Sequence, residues 1–141
     1  MSGPTPHGKD FCFIDSFKIT GEGKTIESFK FLPSNLPFFQ DHFPGRPLMP
    51  GALLIECAAQ ASGVLWAEWL NLTKPPVFFL AQVLTFKLVR EVLPDQTITI
   101  FASLEREFGS LAQFSCQIEE SRSVVASGRV VLSLQESASS G

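Results

Sequence analysis

At 141 residues the chain has the length of one domain. A composition 45% hydrophobic and 18% charged supplies enough apolar material for a sizeable core. Eleven Lys and Arg against fourteen Asp and Glu leave a net charge of −3, and with no basic stripe in the sequence this argues against a nucleic-acid partner. Cys12, Cys57 and Cys116 form no C-x-x-C and lie in apolar surroundings. They are expected to be reduced core thiols in a cytoplasmic protein.

The N-terminus carries no basic stretch followed by an apolar one, so no secretory leader is expected. Phe11–Ile19 and Lys24–Phe31 are rich in β-formers and flank Thr20-Gly21-Glu22-Gly23, the pattern of a hairpin. Prolines at 33, 37, 44, 47 and 50 then predict a stiff, extended loop over 33–51, since neither a helix interior nor a central strand tolerates that density. A connection of that length is suspected of function.

Ala52–Leu70 reads as a helix opened by Pro50-Gly51 and ended by Asn71 and Pro75-Pro76. Glu56, Gln60 and Glu68 interrupt it, so it falls short of the about 20 largely uncharged residues of a membrane span. It is apolar nearly all round and must be buried nearly all round. Strands follow at Val77–Val89, Gln96–Glu105, Leu111–Glu119 and Val124–Leu134, with turns at Leu93-Pro94-Asp95 and Glu120–Ser123. The Ser-rich tail, Gln135–Gly141, is expected to fray. The ordered core of a single 1–141 domain should therefore run from about residue 6 to 134. An α+β architecture accounts for these elements: an antiparallel sheet of about six strands wrapped around one long buried helix, the hot-dog fold.

The chemistry-bearing residues lie in the segment FFQDHFPGRPLMPGALLIECAAQ. Glu56 sits in the second turn of the helix, where an isolated carboxylate costs several kcal/mol in desolvation unless protonated or paired. Gln60, four residues on, shares its face and can hold one carboxyl oxygen. This is either a general acid with its orienting partner or a buried polar pair that fixes packing. His42, one of two histidines, can act as a base near neutrality, or it is a solvated loop residue. Gly51 offers a backbone N–H at the helix start, where a carbonyl oxygen can gather negative charge, or is simply a common helix-start glycine. Together the three suit elimination of water beta to a carbonyl.

HFPGRPLMPG followed by LLIECAAQ resembles the central motif of 3-hydroxyacyl-acyl-carrier-protein dehydratases of type II fatty-acid synthesis, the FabZ/FabA type. The similarity extends from Pro6-His7 and Phe11-x-x-x-Asp15 to Phe86-Lys87 and Pro94-Asp95-Gln96. It implies His42 and Glu56 as the catalytic pair, Gly51 at the oxyanion and Gln60 as the residue that orients the acid. It also implies a substrate carried on the phosphopantetheine of acyl carrier protein, no resident cofactor, and a homodimer with two composite sites. Further assembly to a trimer of dimers is left open. No P-loop, dinucleotide fingerprint or zinc spacing points elsewhere. The competing readings are a hot-dog thioesterase and a non-catalytic acyl-binding module. Cys57 is expected to be a core thiol, and Val77–Leu80 are expected to pack in the core rather than line an acyl tunnel.

Asp41 stands where the family usually has glycine. Its carboxylate either raises the imidazole pKa of His42, moving the basic limb of catalysis to higher pH, or points away and is silent. Neighbouring side chains in an extended segment point to opposite sides, so superimposable pH profiles of kcat/KM are expected for the wild type and Asp41→Gly. A shift of the basic limb to lower pH in Asp41→Gly would establish the tuning.

Overall fold

Ser16–Thr20 (β1) and Thr25–Leu32 (β2) pair antiparallel across a 3-10 turn at Gly21–Gly23, in a computed structural model that describes residues 12–41, 47–73 and 77–135. Gly21, Glu22 and Gly23 all take positive φ, at 60°, 59° and 89°, and glycine at two of the three removes most of the strain. The first strand is shorter than the sequence suggests. Asp15 takes over the pairing just ahead of it: its N–H donates to the Phe29 carbonyl (2.8 Å), and its carboxylate accepts from the Phe31 N–H (2.8 Å) and Lys30 Nζ (3.1 Å).

The proline-rich segment is not extended throughout, as expected, because Pro37–Asp41 form a short helix, α1. Proline at the first position of a helix loses nothing, since its missing N–H would have no intrahelical partner there. Phe38 and Phe39 of α1 are buried, with ring centroids 4.5 Å apart. Asp41 closes this helix, where extended backbone is the expectation from sequence.

Gly51–Leu70 form the long helix, α2, entered from an extended Pro50 and closed by Asn71 in the left-handed region (φ 56°), whose N–H reaches the carbonyls of Ala67 and Glu68. The remaining strands are β3 (Val77–Leu88), β4 (Gln96–Phe108), β5 (Leu111–Glu120) and β6 (Ser123–Gln135). All six strands form one sheet in the order β1-β2-β4-β5-β6-β3, antiparallel at every pairing. Ser121 and Arg122 between β5 and β6 both have positive φ, as a two-residue hairpin turn following the strand twist demands. Register shifts in β3 (Leu80/Gln82 and Val83/Thr85) and β4 (Leu104/Arg106) bend the sheet, and it curls around α2, which touches every strand from β2 to β3. The hot-dog fold is the result.

Helix α2 is buried through its middle, from Cys57 to Trp66 apart from a half-buried Ala59, while Gly51, Leu53, Ile55 and Glu56 are half-buried and Ala52 is exposed. Ile26, Ile98, Ile100, Phe114, Ile118 and Leu132 face it from the sheet and are almost wholly inaccessible. Near its far end the two indole N–H groups, of Trp66 and Trp69, donate to the two oxygens of Glu107 (2.8 and 3.2 Å). Among the described residues no helix is long and apolar enough to cross a membrane.

β3 is held to the sheet by a close approach at Gly128. A Cβ there would lie 2.2 Å from the Thr85 carbonyl oxygen and 2.9 Å from Phe86 Cα. The clashing atoms are backbone, so only a parting of β3 from β6 relieves them. Gly128→Ala is expected to lower stability by about 1–3 kcal/mol in urea unfolding; an unchanged midpoint would mean that the two strands yield freely.

Candidate active site

The opening of α2 is fixed from two sides. The Met49 N–H donates to the Val92 carbonyl at 2.9 Å, which ties the segment entering the helix to the β3–β4 connection. On the other side Leu88, near the end of β3, lies over Gly51, where a Cβ would come within 2.7 Å of Leu88 Cδ1. Glycine at 51 therefore lets a β3 side chain close on the helix start. The first N–H groups of a helix have no intrahelical partner and form the positive end of its dipole, so Gly51 stands where an anionic oxygen is favoured.

Glu56 is half-buried about one and a half turns further on. Gln60 Nε2 donates to Glu56 Oε2 at 3.0 Å, and Gln60 Oε1 accepts from the backbone N–H of Phe13 at 2.8 Å. Gln60 is only 4% exposed and Phe13 fully buried. The structure thus brings Glu56 and Gln60 together, with Gly51 near the same end of the helix. His42 lies outside the described residues. Chemically, the pair is a carboxyl group at the edge of the core with one oxygen held by a neutral donor, an arrangement suited to proton transfer.

The cysteines are free and buried. Burial, reinforced by the charge of Glu56, pushes the Cys57 thiol well above its ordinary value, and burial pushes Cys116 up to about 11. Neither presents the thiolate a nucleophile needs. Among the described residues no cluster of His, Cys, Asp and Glu suits a metal ion.

Two features depart from what residue types suggest. The Phe13 backbone contact leaves no mark on residue type. The second is the start of β3, Val77–Leu80, for which core packing is the expectation from sequence. Phe78 does so, stacking on Trp66 with centroids 5.1 Å apart, but Val77, Phe79 and Leu80 are 46%, 51% and 40% exposed. The available signal is the apolar run VFFLA that opens the strand: without alternation it puts apolar side chains on both faces, of which the core takes one.

Residues 18–129 match the family model of the ApeI-like proteins, described as ApeI dehydratase. The 3-hydroxyacyl-[acyl-carrier-protein] dehydratase FabZ of Lawsonia intracellularis is 34% identical over 123 residues, covering 86% of this chain and 80% of that protein. The enzyme of the same name from Psychrobacter arcticus is 29% identical over 133 residues, covering 93% and 91%. Among solved structures, the dehydratase heterocomplex ApeI:P from Xenorhabdus doucetiae superposes with a TM-score of 0.78 at 17% identity, covering 94% of this chain and 89% of that one. With six antiparallel strands about one long helix and a carboxyl–amide pair near its start, the chain belongs to the ApeI-like family of FabZ-type dehydratases.

Proposed function

We propose that the protein removes water from a 3-hydroxyacyl thioester carried on acyl carrier protein, giving the trans-2-enoyl thioester, with Glu56 as acid and His42 as base. The observation that carries this reading is the Glu56–Gln60 pair at 3.0 Å, on the helix that begins at Gly51. His42 takes the proton alpha to the carbonyl, and the electron pair passes to the carbonyl oxygen, steadied by the Gly51 N–H. As that charge returns, the alpha–beta double bond forms and the beta carbon–oxygen bond breaks. Glu56 supplies the proton that makes the leaving hydroxyl water. The chemistry needs no resident cofactor and suits fatty-acid or related acyl-chain synthesis in the cytoplasm.

The active unit in this reading is a homodimer. β3 is an edge strand of twelve residues that leaves Val77, Phe79, Leu80, Val83, Leu84 and Leu88 exposed. A long apolar edge of this kind is a template for pairing with another chain. A second β3 joined there continues the sheet and brings a partner to the Leu88–Gly51 corner, and in this reading the base is the partner's His42.

Glu56→Gln is expected to keep the fold and to lose dehydration by roughly 10²–10⁴-fold, measured on 3-hydroxyacyl-acyl carrier protein with release of free thiol followed in parallel. Wild-type water loss would remove Glu56 from the mechanism, and thiol release in its place would identify a thioesterase. Inactive His42→Ala and Glu56→Gln chains, once co-assembled, should recover about a quarter of wild-type activity, because half of randomly mixed two-fold dimers carry one intact site of two. No recovery despite demonstrated subunit exchange would place each site within a single chain.

A further inference from the structure

We infer that the backbone N–H of Phe13 is a positioning group for catalysis, fixing the direction of the Gln60 amide and, through it, which oxygen of Glu56 delivers the proton. The inference rests on Glu56 being the acid.

An amide side chain has a donor end and an acceptor end, whereas a backbone N–H can only donate. With the Phe13 nitrogen 2.8 Å from Gln60 Oε1, the amide has one allowed direction, and its NH₂ must face the helix carboxyl, 3.0 Å from Glu56 Oε2. Nε2 offers Oε2 a donor and no acceptor, so the proton that Glu56 gives up is carried on Oε1. The flipped amide would turn its carbonyl toward Glu56 and accept the acid proton itself, holding it away from the substrate. The same flip would set the NH₂ against the Phe13 N–H, donor against donor in a buried site, where an unmet polar group is costly.

The donor is fixed independently of Gln60. The Phe13 side chain is fully buried, its ring 6.3 Å from that of Phe38. Two residues later Asp15 is tied to β2 through the Phe29 carbonyl, the Phe31 N–H and Lys30. The segment ahead of β1 therefore presents a rigid N–H to a side chain forty-seven positions away, and the polarity of the acid is set from outside the helix that bears it.

The test replaces Phe13 by phenyllactate, which exchanges the backbone N–H for an ester oxygen and keeps the ring. Turnover of the 3-hydroxyacyl thioester should fall in kcat by roughly 10²-fold, the scale of a misplaced catalytic group, with KM unchanged. In a Gln60→Ala background the same ester should cost nothing more, since the group through which it acts is gone. Wild-type kcat in the ester variant overturns the inference, as does an equal further loss in the Gln60→Ala background. Glu56→Gln assayed alongside separates the two readings. Its inactivity with a fully active ester variant leaves the acid assigned and Phe13 dismissed, whereas its full activity overturns both. Should the ester variant fail to fold, amide hydrogen exchange on the natural backbone decides: the Phe13 N–H must exchange faster in Gln60→Ala than in the wild type, and unchanged protection overturns the inference.

Discussion

A helix that is apolar on every side has to be covered on every side, and a single sheet achieves this only by bending. The residues AQASGVLW in the middle of α2 leave no polar face to turn toward water. The six strands answer with register shifts that curve them around the helix. Coverage is nearly complete from Cys57 to Trp66 and gives out over the first two turns. The residues capable of chemistry, Gly51 and Glu56, sit where it gives out. The fold buries what it must and leaves Glu56 half-buried at the boundary, where a carboxylate is spared the full cost of leaving water.

Among the described residues every buried polar side chain is answered. Ser28 donates to the Ile100 carbonyl at 3.1 Å and Ser62 to the Ala58 carbonyl at 2.8 Å, and Gln60 meets a donor at one end and an acceptor at the other. Buried polar groups left unmet would cost more than their hydrogen bonds return. Gln60 differs from the two serines in linking elements distant in sequence. It joins the chain ahead of the first strand to the helix, so the packing of the N-terminal segment and the setting of Glu56 are one problem.

Much of this was legible in residue types. The helix, its ends and five of the six strands follow from apolar runs and breakers, and the Glu56–Gln60 pair from helical spacing alone. The first strand is shorter than its composition suggests, since Phe11–Ile19 is β-forming and nothing in that composition reveals that Asp15 replaces ladder bonds with its side chain. Proline density alone points to an extended segment, but the position of each proline matters as well. Pro37 stands at the one place in a helix where its missing N–H is harmless. Val77, Phe79 and Leu80 read as core residues in the sequence because an apolar side chain carries no sign of whether its own core will cover it. Phe13 acts through a backbone group, which the identity of its side chain does not encode.

The carboxylate of Glu107 has a consequence of a different kind. Trp66 and Trp69 are the protein's only tryptophans, and it contains no tyrosine. Both indoles are bound to that one side chain near the far end of α2, more than two turns from Glu56. Ultraviolet emission from this protein is therefore a local optical probe. It registers fraying of the helix C-terminus and the loosening of β4 from it, and is nearly blind to events around Gly51 and Glu56.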